Sequence, residues 1–265
     1  MDIDWPDLRD RCRILEDDAV LALNKPAGIA VTGERHDTDI VQAAEAAGET
    51  LYPVHRIDKV TSGLVLLAKE LAAHGPLTRQ FNKQTARKTY LAVVATGAEP
   101  LPDAGVIELP LSVGRKNRVR IAAPRERIQH EAGRWFVAPG DVLDTKNYPS
   151  TTRFATLARH GDHTVLALRP VTGRRHQIRV HLAWIGHAII GDPLFDKSGT
   201  HQRAHLHSWR LTLAADWRAG AQLDLEAPPD PAFWRPLPSE LLDASAMLQR
   251  AASLLDTTSV RGEGR

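Results

Sequence analysis

Nine short runs rich in Val, Leu, Ile or Thr recur along the chain, at 19–23, 63–68, 89–95, 105–111, 118–122, 152–158, 164–168, 205–213 and 221–225. Most are bounded by Gly, Pro, Asp or Asn, residues that end strands and make turns. The runs cluster instead of alternating one by one with helical segments. Strict alternation would call for a parallel sheet. Clustered strands predict an α+β fold with a central, largely antiparallel or mixed sheet flanked by helices and loops.

Helical patterns are few. Residues 39–47 (DIVQAAEAA) are alanine-rich, with Thr38 placed to cap them and Gly48 to stop them. A second helix is expected over 76–83, with Pro76 in its first turn. A third, over 176–185, carries Ile178, Leu182 and Ile185 at i, i+4 and i+7, one apolar face. The stretch 115–149 is polar, irregular and rich in Arg, Gly and Pro, and reads as a β-hairpin extended by an insertion. A connection (PPDPAFWRPLP) follows from 228, then a helix over 239–255 and a disordered tail, TTSVRGEGR. There is no internal repeat. The expected organisation is an N-terminal extension over 1–13, one domain over 14–238 containing the basic insertion 115–149, and a C-terminal helix and tail over 239–265.

At 265 residues the chain can bury a sizeable core. Its single cysteine, Cys12, excludes an internal disulfide framework and a multi-thiolate metal site. No run approaches the roughly 18 apolar residues of a membrane helix. The start, MDIDWPDLRDRCRIL, has no apolar core of a secretory signal, so a cytoplasmic protein is expected. The formal net charge of +2 conceals a polarity: residues 111–210 hold 17 Lys+Arg against 7 Asp+Glu, a net of +10, and the remainder carries −8. Such a distribution can concentrate a polyanion on one face. A solvated basic surface with no partner accounts for the charge equally well.

Four segments stand out: NKPAG (24–28), HRIDKVTSG (55–63), KTY (88–90) and GRRHQIRVH (173–181). Singly, each has a bland explanation, as a turn, a capping aspartate, a core tyrosine or a solvated helix start. Together, and in this order, they resemble the RluA family of RNA pseudouridine synthases from about residue 14 to residue 233. HRIDKVTSG is similar to the family's catalytic-loop signature, in which His-Arg-Leu-Asp precedes Thr-Ser-Gly by two residues. NKPAG resembles its first motif, KTYLAVV the strand bearing its active-site tyrosine, and TGRRHQIRVHLAWIGHAIIGDPLF its third motif. Ile57 stands where leucine is commoner, a swap of similar volume. No counterpart of the small ribosomal-protein-like RNA-binding domain that many relatives carry at the N-terminus is expected, which would leave substrate selection to the catalytic domain and the insertion 115–149.

The resemblance implies an isomerase that converts uridine in structured RNA, rRNA or tRNA, to pseudouridine. The reaction cleaves ribose C1′ from uracil N1, turns the base and joins C1′ to C5. It involves no redox change and no transferred group, so it requires neither cofactor nor metal. By resemblance Asp58 is the catalytic carboxylate, adding to base or sugar or stabilising charge at C1′. Arg179 would pair with Asp58 and keep it ionised. Tyr90 would stack on the uracil and could take the C5 proton, and Ile178 would wall the base. Arg56 would fill the space a flipped uridine vacates or contact a phosphate. Lys25, Lys59, Arg174 and Arg175 would meet backbone phosphates. A monomer without an obligate protein partner or membrane association is expected.

Two other readings compete. A metal enzyme could be built on His176, His181 and His187, or on His201, His205 and His207, although neither set has the H-E-x-x-H pattern or common zinc spacing. Alternatively, the scaffold could serve a non-catalytic RNA-binding protein or rRNA assembly factor. Residues 28–33 (GIAVTG) have P-loop glycine spacing but continue with Glu34-Arg35, not Lys-Ser/Thr, and that match is accidental.

Overall fold

Trp5–Cys12 forms helix α1, whose N-cap Asp4 accepts the Asp7 N–H at 3.2 Å. Trp5 and Leu8 are buried, and the Trp5 indole donates to Glu49 at 2.8 Å, so residues expected to be an extension are part of the packed fold. The computed structural model describes residues 3–33, 38–199, 203–218, 220–238 and 243–259. Next come β1 (Arg13–Glu16), β2 (Val20–Lys25), α2 (Ile40–Ala46), β3 (Tyr52–Pro53), β4 (Ser62–Ala68) and α3 (Leu71–Asn82). The cap of α2 is Asp39, not Thr38: its carboxylate accepts the Gln42 N–H at 2.9 Å. Helix α3 starts five residues before Pro76, which lies inside it, so the tertiary packing of Ala73 and Leu77 outweighs the lost backbone bond.

The chain continues through β5 (Arg87–Ala95), β6 (Ala104–Glu108), β7 (Leu111–Val113), β8 (Val119–Ile121), β9 (Gln129–Glu131), β10 (Arg134–Phe136) and β11 (Asn147–Tyr148). It then forms β12 (Thr151–His160), β13 (His163–Pro170), α4 (Gln177–Trp184), β14 (Leu206–Ala215), β15 (Ala221–Glu226) and α5 (Ala244–Ser259). Every one of the nine sequence runs overlaps a strand. Helix α5 ends four residues later than expected, taking in Asp256, Thr257, Thr258 and Ser259; residues 239–242 of the expected helix and the end of the expected tail lie outside the described residues.

The chain divides into two compact units. The first comprises 1–89 and 206–230, the second 90–205 and 231 onward. In the first unit the strand order is β1-β2-β4-β14-β15, and β3 also pairs with β4. All pairs are antiparallel except β4–β14. All seven residues of β4 are buried. Its alternate residues Leu64 and Leu66 join Val20, Ala22, Ala73, Leu77, Leu211 and Leu223 in one apolar cluster. Leu21, Leu23, Val65 and Leu67 point the other way by strand alternation and are equally buried. A strand with two covered faces needs the continuous apolar run seen in the sequence.

In the second unit the order is β5-β13-β12-β6-β10-β9, antiparallel except for β6–β10, and β11-β7-β8 form a separate small sheet. The stretch 115–149 is therefore not one extended hairpin. It completes the small sheet at both ends and sends β9–β10 to the edge of the larger one. The fold class is α+β with mixed, largely antiparallel sheet.

Candidate active site

In the first unit, NKPAG and HRIDKVTSG are joined through one carbonyl. The oxygen of Lys59 accepts the Gly28 N–H at 2.7 Å and lies 3.5 Å from the Lys25 ammonium. Lys25 is 1% exposed, and its Nζ donates to the carbonyls of Pro26 at 2.8 Å and Ile29 at 2.7 Å. The expectation that Lys25 meets a phosphate is corrected. Its charge is spent inside, holding the turn that holds the Asp58 loop. Gly28 has φ +92°, where a side chain is strained, which explains the glycine of this motif.

Asp58 is half-buried at the start of a tight turn in which its carbonyl accepts the Thr61 N–H at 3.0 Å. Before it, Ile57 is buried and Arg56 is exposed; after it, Lys59 is half-buried. His55 fixes the upstream end: its Nε2 accepts the Leu66 N–H at 3.0 Å, and its ring stacks on Phe81 with centroids 4.5 Å apart. Burial, helped by the nearby Lys88 ammonium, lowers the His55 pKa to about 3. The downstream end is tied by Ser62, whose hydroxyl donates to His207 Nδ1 at 2.9 Å while His207 Nε2 donates to the Ala227 carbonyl at 2.8 Å. This tautomer follows because Nε2 faces a carbonyl acceptor.

Gly63 has φ +105°, and a Cβ there would lie 2.2 Å from the Ser208 carbonyl oxygen on β14. Both the torsion and the contact forbid a side chain. Gly63→Ala is expected to lower stability by about 3 kcal/mol or more, read by urea denaturation. A loss below about 1 kcal/mol would mean that the β4–β14 pair can part without cost.

In the second unit, Tyr90 lies buried on β5 in register with Leu168 on β13. Helix α4 carries Ile178 and Arg179, both buried, with Arg174 and Arg175 exposed just before it. Arg174 sits over the Tyr148 ring at 5.3 Å, and Arg175 donates to the Asn117 carbonyl. Arg179 makes a bidentate pair with Asp192, Nε to Oδ2 at 2.6 Å and a terminal nitrogen to Oδ1 at 2.8 Å. The Asp192 side chain is 0% exposed. Sequence reasoning did not pick out this carboxylate. The signal was present: an arginine on a buried helix face needs a counter-charge, and GDPLFD offers one shortly after.

The rest of the third motif is a buried polar network. Gln177 Oε1 accepts the Thr172 hydroxyl at 2.6 Å and the Arg174 N–H at 3.1 Å, and its amide donates to Thr151 O and Thr152 Oγ1. His181 Nδ1 accepts from Thr152 Oγ1 at 3.0 Å while Nε2 donates to Leu109 O at 3.0 Å. His205 Nδ1 faces the Phe233 carbonyl at 2.7 Å. Both ring nitrogens of His181 and of His207 are thus engaged by protein groups, which removes them as metal donors; His201 lies outside the described residues.

Burial lowers the His181 pKa to about 4, and lowers that of His187 as well. A histidine whose folded pKa lies below its unfolded value of about 6.5 contributes fully above that value and loses its contribution as pH falls toward the folded pKa. Stability is expected to fall by about 1.4 kcal/mol per pH unit for each of His55 and His181 as pH drops from 6.5 toward 4. Urea midpoints at pH 7, 6 and 5 test this, since few carboxylates titrate there. A flat profile would contradict the neutral, buried assignment of His55 and His181.

Residues 19–184 match the sequence model described as RNA pseudouridylate synthase, well over half of the chain. The chain belongs to the RNA pseudouridylate synthase family. Its similarity extends to the dual-specificity RNA pseudouridine synthase RluA of Vibrio vulnificus, 36% identical over 75% of this chain and 76% of that protein. RluA of Escherichia coli K12 is 30% identical over 82% of this chain and 92% of its own length. Two human structures share the fold. RNA pseudouridylate synthase domain containing 4 superposes with a TM-score of 0.65 at 23% identity, over 93% of this chain and 95% of that one. Domain containing 1 gives 0.67 at 22%, over 91% and 94%. Members of the family isomerise uridine to pseudouridine in RNA, and this pseudouridine synthase is an enzyme of that class. Among the described residues no helix is long and apolar enough to cross a membrane.

Proposed function

We propose that the enzyme modifies specific uridines in structured rRNA, tRNA or both, with Asp58 as its catalytic carboxylate. The observation that carries this reading is the construction around Asp58. A buried lysine, a positive-φ glycine, a neutral histidine and a serine–histidine pair all fix the backbone on either side of one half-buried acid. Such investment in the placement of a single carboxylate fits chemistry that needs it aimed at one atom. The relatives' description as dual-specificity enzymes supports more than one RNA substrate.

In this reading Asp58 adds to the target nucleotide or stabilises charge at C1′ while the C1′–N1 bond breaks. Once C1′ is joined to C5, the C5 proton must leave; Tyr90 stacks on the uracil and receives it, and Ile178 forms the apolar wall. Arg179 serves the reaction as a positioning residue, itself held in place by Asp192. Arg56, exposed beside Asp58, occupies the space of the flipped uridine or binds a phosphate, and Lys59, Arg174 and Arg175 contact the backbone. The enzyme acts in the cytoplasm as a monomer without an obligate protein partner. The test is a pseudouridine map of total RNA with and without the gene, restored with wild type or with Asp58→Asn. Sites that vanish and return only with wild type establish reaction, residue and substrate together. Identical maps under several growth conditions would leave a non-catalytic RNA-binding role as the better account.

A further inference from the structure

The third motif and the stretch 115–149 meet in a groove of the second unit, with a volume of about 1140 Å³. Six cations line it: Arg115, Arg118, Arg120, Arg125, Arg175 and Lys197. No aspartate or glutamate is among the described residues that line it. Asp196, between the lining residues Phe195 and Lys197, turns its carboxylate to the backbone N–H groups of Gly191 at 2.7 Å and Ser198 at 2.9 Å. Trp184 contributes an aromatic face, half-exposed, with the Arg125 guanidinium 5.6 Å from its ring centroid. Beside it, Leu194 is 52% exposed.

Six like charges along one concave surface repel one another, and an anionic occupant relieves that repulsion. The volume exceeds the roughly 300–1,000 Å³ of ordinary small-molecule pockets. A row of cations with one aromatic face is the combination that grips single-stranded nucleic acid, phosphates on the charges and a base on the ring. None of these groove residues carries a step of the isomerisation proposed above, except that Arg175 was assigned to backbone contact.

We propose that this groove binds a single-stranded segment of the substrate RNA other than the target uridine, with one base stacked on Trp184 in place of the Arg125 guanidinium. This inference rests on the RNA reading above. It makes the groove a determinant of which RNA is chosen, because a stem-loop lacking an unpaired segment at that point cannot fill it.

The test uses fluorescein-labelled transcripts of tRNA and of rRNA stem-loops, with full-length protein, anisotropy across a salt series, and pseudouridine content of the same transcripts. Arg118→Gln/Arg120→Gln/Lys197→Gln alters only exposed side chains and is expected to reduce the slope of log affinity against log salt by about 2. Trp184→Ala is expected to weaken binding roughly ten-fold, and Trp184→Phe to keep affinity within roughly three-fold of wild type. The triple variant Arg79→Gln/Lys83→Gln/Arg153→Gln, equal in charge loss but outside the groove, should leave the slope near that of wild type. If wild type forms pseudouridine but the groove variants bind as it does, with the same slope, the groove inference is overturned and the enzymatic reading stands. If the groove variants lose binding but wild type forms no pseudouridine in any transcript, the groove inference stands and the substrate reading fails. Equal losses in Trp184→Ala and Trp184→Phe would overturn the stacked base.

Discussion

Asp58→Asn protein is expected to fold, to bind RNA and to form pseudouridine at least roughly a thousand-fold more slowly than wild type. The substitution keeps the volume of the side chain and removes its charge and nucleophilicity. The turn it occupies is held by backbone atoms: the Asp58 carbonyl to the Thr61 N–H, and the Lys59 carbonyl to Gly28 and Lys25. Stability should therefore stay within about 1 kcal/mol of wild type. Release of tritium from RNA labelled at uracil C5 measures the rate, since the C5 hydrogen is lost when C1′ takes its place. Normal turnover would remove Asp58 from the mechanism. Loss of turnover together with global unfolding would instead assign it a role in holding the loop.

The second large effect lies in the buried pair on α4. Arg179→Ala leaves the fully buried Asp192 carboxylate without its bidentate partner, and Asp192→Ala removes the buried carboxylate that the guanidinium grips with two bonds. Each single change is expected to cost about 3–5 kcal/mol of folding stability. Replacing both, as Arg179→Met/Asp192→Leu, removes the two charges at once and should recover most of that loss. On the function proposed above, which gives Arg179 a part in the reaction, the double variant should nevertheless remain inactive. Urea denaturation of the three variants gives the coupling directly. Additive losses would show that the pair contributes nothing as a pair. An active double variant would show that Arg179 serves stability alone.

How far the sequence could be read depended on the range of the interaction. Strands announced themselves because burial on one or both faces dictates their composition, as in the continuous run of β4. The loop carrying Asp58 was legible because its motif is long and contiguous. Lys25 was misjudged because a lysine in a turn sequence usually faces water; here the turn folds its own carbonyls, Pro26 and Ile29, onto the ammonium, with that of Lys59 3.5 Å away. Thr38 and Asp39 were indistinguishable as caps by residue type, since both can accept a backbone N–H. Helix α1 escaped notice because eight residues with only Trp5 and Leu8 buried show little periodicity. Asp192 was passed over because a pairing across thirteen residues leaves no periodic trace. The division into two units was illegible for a similar reason: no linker marks it, and the chain crosses within a single strand, β5.

That division orders events during synthesis. The first unit is assembled from residues 1–89 and 206–230, so β14, the strand against which Gly63 packs and from which His207 reaches Ser62, emerges long after β4. At roughly 5–20 residues per second, more than a hundred intervening residues delay it by roughly 6–23 seconds. Until then one edge of β4 near the Asp58 loop has no β14 to pair with, and the loop lacks its downstream tie to His207. The close approach of Gly63 to Ser208 and the Ser62–His207 bond, both needed to hold this loop, therefore form only after a strand far downstream has been made.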